Sequence, residues 1–85
     1  MKEFNYVITD EQGIHARPAG LFVKEATACS CRVMLQKGEK EVDAKRLLSV
    51  MSLGVKKGEE ITVKTDGEDE EAAMEKLRTF LKENL

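Results

Sequence analysis

The sequence predicts an α+β fold: one four-stranded sheet, antiparallel or mixed, with helices packed against a single face. Two observations predict it. Apolar residues alternate with polar ones at a spacing of two in some stretches, and recur at spacings of three and four in others. The order along the chain is then strand, helix, strand, strand, helix, strand, helix, or βαββαβα. Two connections carry a helix and one is short enough to be a hairpin.

The first strand covers 3–9, where Phe4, Tyr6 and Ile8 alternate with Asn5, Val7 and Thr9. Asp10-Glu11-Gln12-Gly13 breaks it. A helix follows from Ala16 to about Ala28, with Ala16, Ala19, Phe22, Val23 and Ala26 forming the face for the core. Pro18 requires the helix to begin at or just after His15, because proline is tolerated only in the first turn, where its missing N–H has no intrahelical acceptor.

The second strand covers 31–37, with Cys31, Val33 and Leu35 on one face. Lys37-Gly38-Glu39 suits a hairpin turn into a short strand over 40–44. Residues 46–53 read as two apolar helical turns stopped by Gly54. The strand over 60–65 points Ile61 and Val63 inward. A last helix from Glu70 to Asn84 buries Ala73, Leu77, Phe80 and Leu81, with acidic residues at its positive dipole end.

The 85 residues and 9.5 kDa hold one domain, spanning 1–85. A chain this short buries roughly 60–65% of its unfolded surface. A net charge of −2 and a pI near 5.5 argue against nucleic acid as a partner, since phosphate binding shows as a basic excess. No apolar run approaches the ~20 residues that span a bilayer, and no apolar segment opens the chain. A cytoplasmic protein without a membrane partner is expected. Cys29 and Cys31 lack the spacing of a redox pair or a zinc site, and one histidine leaves a metal site short of ligands. They read as reduced residues at an element junction, with no metal and no cofactor expected.

Charge is unevenly distributed. Residues 13–37 carry four basic residues and one acidic, and 38–57 carry five and three; 66–85 carry three basic and seven acidic. The first two helices therefore sit in a basic half and the last is acidic. Such asymmetry is usually solvated surface, but it also suits steering of an anionic ligand or an acidic protein.

Gly13-Ile14-His15-Ala16-Arg17-Pro18-Ala19 is the most specific stretch. A lone histidine is more often structural, yet this one follows a polar loop and opens a helix. There the free N–H groups of Ala16 and Arg17 form an anion cradle. Arg17 can add a bidentate phosphate contact. The positive helix end and Arg17 both favour the neutral, nucleophilic ring. After transfer, the same groups satisfy the new phosphoryl charge. No Walker motif or glycine-rich nucleotide loop is present, so nucleotide turnover is not expected.

Gly-Ile-His-Ala-Arg-Pro-Ala at 13–19, Val50-Met51-Ser52-Leu53-Gly54, and Lys57-Gly58 followed by Ile61-Thr62-Val63 resemble the HPr family, the histidine-containing phosphocarriers of the bacterial sugar phosphotransferase system. The resemblance covers essentially the whole chain. It implies an open-faced β-sandwich, a four-stranded antiparallel sheet covered on one face by three helices. It implies that His15 is phosphorylated through Nδ1 and that Arg17 assists. Enzyme I would be the donor and sugar-specific enzyme IIA domains the acceptors. The protein is then no enzyme with turnover of its own but a covalent phosphohistidine intermediate in a relay, working as a monomer.

One departure stands out. Aligned through 45–54, the family's regulatory serine falls on Arg46, while Ser49 and Ser52 lie elsewhere on the helix. Regulation by HPr kinase therefore does not carry over. The alternative function is an HPr-like regulatory module controlling a transcription factor or an enzyme outside sugar transport. Leu47 and Leu48, adjacent on a two-turn helix, cannot both face inward. With Met51, Gly20, Lys24 and Arg46 they make the expected docking face.

Overall fold

The computed structural model describes residues 1–85. Its elements are β1 (Lys2–Val7), α1 (Ala16–Thr27), β2 (Arg32–Lys37), β3 (Lys40–Asp43), α2 (Leu47–Ser52), β4 (Glu60–Asp66) and α3 (Glu70–Asn84). All strand pairs are antiparallel, in the spatial order β1-β4-β2-β3. The last strand thus lies between the first two, and the sheet is antiparallel throughout, as the family resemblance implies.

The register aligns one apolar row across the sheet. Phe4 faces Val63, Val63 faces Leu35, and Leu35 faces Val42. Because side chains alternate along each strand, this row fixes which face the helices cover. Val63 and Leu35 are fully buried, while Phe4 and Val42 close the row as half-buried ends. Leu77 and Leu81 of α3 and Ala19, Phe22 and Ala26 of α1 complete the core, with Phe22 and Phe80 rings 6.0 Å apart. The buried Thr65 hydroxyl donates to Glu70 O at 3.0 Å, so its polar atom is not stranded.

Several details differ from the sequence expectation: β1 ends at Val7, before Ile8 and Thr9, and β2 begins at Arg32, after Cys31. Ala16 is exposed, because at the first helical position α1 has not yet reached the core; burial begins at Pro18 and Ala19. Phe80 is only half-buried, and Met74 takes a buried place on α3 instead. Arg46 precedes α2 as its N-cap, with extended backbone and no side-chain capping bond, rather than lying inside the helix.

The six residues of α2 bury only Val50 within the helix, and so short a helix is marginal by itself. Lysines of the β2–β3 hairpin close its end: Lys37 Nζ donates to Leu53 O and Gly54 O at 3.2 and 3.3 Å, and Lys40 Nζ to Ser52 O at 3.3 Å. At the other side of the molecule, Asp69 accepts the backbone N–H groups of Ser30 and Cys31 at 2.9 and 2.8 Å. These bonds, that from Ser30 foremost, hold its carboxyl below the ordinary carboxylate range. Cys29 and Cys31 are free and buried. Burial, then the hydrogen bond to Asp69, pushes the Cys31 thiol up to about 11.

The loop before α1 is pressed against the segment before β4. Gly13 has φ +67°, and a Cβ there would collide with the Val55 carbonyl. Ile14 N–H donates to that same carbonyl at 3.1 Å, and Ile14 and Val55 are both buried. Gly13→Ala is therefore expected to lower unfolding stability by at least about 2 kcal/mol, combining left-handed strain with a backbone clash. Urea denaturation of the variant checks this, and a native-like midpoint would contradict the close approach.

Candidate functional site

His15 is the N-cap of α1, with extended backbone at φ −90° and ψ 179°. Its carbonyl accepts Ala19 N–H at 3.0 Å, the first bond of the helix. Its imidazole makes no capping bond, and no acidic residue stands in the first turn. The amides of Ala16 and Arg17 have no acceptor within the chain, and Pro18 has no N–H to offer. The helix therefore opens with two unused donors directed outward beside the ring.

Arg17 is exposed and absent from the ten ion pairs of the chain, as is Lys24. Both cations are free to meet an anion. A shallow cleft of about 230 Å³ is lined by Asp10, His15, Arg17, Pro18, Leu21 and Asn84. Arg17 and the two amides can thus receive a phosphoryl-sized anion next to the imidazole, whose side chain is 37% exposed. A wider groove between α1 and α3 lies away from the histidine and is bridged by Lys76 and Glu25 at 3.1 Å.

The loop that carries the ring is anchored on both flanks. Ile8 N–H donates to Glu59 O at 3.0 Å and Gly58 N–H to Ile8 O at 2.8 Å. Thr9 and Asp10 amides both donate to Leu85 O, at 2.6 and 2.9 Å. Lys57 and Glu11 pair at 2.7 Å across the surface. His15 is thereby presented by a fixed loop and a fixed helix start.

Beside it, α1 packs against α2. Leu21, Leu47 and Met51 are 43, 41 and 38% exposed, and Leu48 is 84% exposed. Four large apolar side chains on two adjoining helices exceed what a small solvated surface needs. Arg46, exposed at the start of α2, lies 3.7 Å from Asp43.

Residues 2–83 match the family model described as the PTS HPr component phosphorylation site. The chain belongs to the HPr family. It is 45% identical over 73 residues to the HPr-like protein Crh of Bacillus subtilis, covering 86% of each chain. It is 37% identical over 78 residues to the phosphocarrier protein HPr of Mycoplasma capricolum, covering 92% of this chain and 88% of that one. The crystal structure of HPr-C-His from Thermoanaerobacter tengcongensis superposes with a TM-score of 0.92 at 39% identity, over 96% of this chain and 92% of that one. An HPr dimer from the same organism superposes at 0.78 and 38% identity, covering 98% and 95%. The open sheet with three helices is thus the HPr fold.

Within this HPr-family site His15 and Arg17 line one cleft, and the Ala16 and Arg17 amides open the helix beside it. Leu21, Asp10 and Asn84 share its walls, and sequence reasoning did not single them out. Asp10 through Gly13 had the Asp-x-x-Gly pattern of a turn, but nothing in that pattern tells what the aspartate faces. Gly20, half-exposed in α1, would meet nothing within 4 Å if it carried a Cβ. Its lack of a side chain serves no packing inside the chain. Gly20→Ala is expected to raise stability by about 0.5–1 kcal/mol, the usual helix-interior gain. A urea midpoint that falls instead would show that the glycine is needed for the fold itself.

Proposed function

We propose that this chain accepts a phosphoryl group on His15 from enzyme I, charged by phosphoenolpyruvate, and passes it to sugar-specific enzyme IIA domains in the cytoplasm. One observation carries the reading: the imidazole stands at a helix start that also offers two unused amide donors and an unpaired Arg17. The lone pair of a ring nitrogen, Nδ1 by family resemblance, attacks phosphorus. The bond from phosphorus to the donor atom breaks, and its electron pair stays with the donor. The amides and the guanidinium receive the phosphoryl oxygens. In the onward step the nitrogen–phosphorus bond breaks and its pair returns to the ring, so the carrier ends as it began.

Leu47, Leu48 and Met51, with Gly20, Lys24 and Arg46 around them, supply the docking face in this reading. Apolar anchors with a cationic rim suit partners that are apolar at the centre and acidic at the edge. The working unit is the single chain, since that face has to stay open for both donor and acceptor.

Enzyme I with phosphoenolpyruvate is expected to place one acid-labile, alkali-stable phosphoryl group on the native chain and none on His15→Ala. Arg17→Ala is expected to slow transfer roughly 10- to 100-fold, the loss of one charge-assisted bond worth ~1.5–3 kcal/mol. Equal labelling of His15→Ala would overturn the assignment.

The likeness to Crh and the presence of Arg46 favour a second reading, a regulatory module that uses the same face on a transcription factor or an enzyme. Complementation of a strain lacking its HPr separates the two, because only a carrier restores sugar uptake.

Arg46 generates its own expectation. HPr kinase with ATP should leave the native chain unlabelled, while Arg46→Ser should become a substrate and gain a favoured N-cap residue. Transfer from enzyme I should slow in Arg46→Glu at low salt, and high salt should remove most of the difference. Equal low-salt rates would contradict the electrostatic part, and efficient serine labelling of the native chain would contradict the rest.

A further inference from the structure

We propose that Asp10 is a positioning residue for His15, holding the proton on Nε2 so that Nδ1 presents its lone pair; this rests on the carrier reading above. Asp10 Oδ1 lies 3.7 Å from His15 Nε2, and the two side chains are 31 and 37% exposed. Asp10 is not a loose surface acid. Its Oδ1 accepts Gln12 N–H at 2.8 Å, its carbonyl accepts Gly13 N–H at 3.0 Å, and its own amide donates to Leu85 O at 2.9 Å. Backbone and carboxylate are both fixed by a tight turn, and Gly13 and Ile14, which end that turn, are seated on Val55. Of the residues around the cleft, Asp10 is the one acid.

A neutral imidazole carries one proton, and only the other nitrogen can attack phosphorus. Which nitrogen holds the proton is set by the partner it faces. A carboxylate beside Nε2 assigns the proton there and leaves Nδ1 free. When Nδ1 takes the phosphoryl group, the ring keeps its Nε2–H and becomes positively charged opposite the carboxylate. When the phosphoryl group leaves, the nitrogen–phosphorus electron pair returns to Nδ1 and the same tautomer is restored. No proton enters or leaves the ring at any stage. The carboxylate therefore acts most strongly on the charged, phosphorylated ring and on the transfer that makes it. The resting separation of 3.7 Å is longer than a hydrogen bond, so in the unphosphorylated protein the carboxylate acts on the ring through its charge.

Two variants isolate the effect. Asp10→Asn keeps a side-chain oxygen for Gln12 N–H and removes the charge. Asp10→Ser keeps a turn-forming oxygen but is too short to reach the ring. Nitrogen-15 NMR of the unphosphorylated proteins reads the His15 tautomer. The native chain is expected to hold the proton on Nε2, Asp10→Ser to move toward the mixture of a free imidazole, and Asp10→Asn to fall between. Single-turnover transfer from phosphorylated enzyme I is expected to slow about tenfold or more in Asp10→Ser, taking as a guide the loss when a metal-bound histidine is deprived of its outer carboxylate. Melting curves check that all three fold alike. The same tautomer in all three proteins, or the same transfer rate, overturns the proposal. A native chain that takes no phosphate overturns the carrier reading instead. The tautomer, measured without phosphate, still decides whether Asp10 directs the ring.

Discussion

The placement of the histidine loop depends on a backbone approach that only glycine permits. Gly13 adopts φ +67° with its missing side chain directed at the Val55 carbonyl, and Ile14 N–H bonds to that same oxygen. With Ile14 and Val55 buried beneath, the loop before α1 is sealed onto the segment that enters β4. The start of α1 follows from it: His15 is left extended, and Ala19 N–H closes the first turn onto its carbonyl. A displaced loop would move the ring relative to the Ala16 and Arg17 amides, so this close approach and the proposed chemistry share one cause.

The second helix poses an energetic problem that the hairpin solves. Six residues long and burying only Val50, α2 has little of its own to hold it together. The ammonium groups of Lys37 and Lys40 satisfy carbonyls at its C-terminal end, and Leu53 packs into the core beyond it. Leu47, Leu48 and Met51 are then free to face solvent without unravelling the helix. The hairpin lysines support α2 from behind, because its exposed side chains, Leu48 above all, add little burial to hold it in place.

Opposite the histidine, Asp69 ties the start of α3 to the segment entering β2 through the amides of Ser30 and Cys31. The carboxylate is favoured in its charged form because those N–H groups stabilise it; burial first, and then this carboxylate, disfavour a thiolate at Cys31. Burial is the first cause that raises the thiols of both Cys29 and Cys31, which pack in the core.

The local pattern of the chain was enough for the element order. Alternation at 3–9 and 60–65 and three-four spacing after His15 report which face of each element is apolar, and that is a property of neighbours in sequence. Pro18 set the helix start for the same kind of reason, and two adjacent leucines could not both be buried. The interleaving of β4 between β1 and β2 was not legible, since strand order depends on pairing between residues nearly sixty positions apart, as in Phe4 with Val63. Nor was the exposure of Ala16 or the half-burial of Phe80, because spacing tells a helix's apolar side but not where the core ends. Asp10 shows the same limit most sharply. Its turn could be read from Asp-x-x-Gly, whereas its place beside Nε2 of His15 exists only once Leu85, Val55 and Glu59 have closed around the loop. Sequence determines what each segment can bury and bond locally; distance between side chains is decided by how distant segments pack.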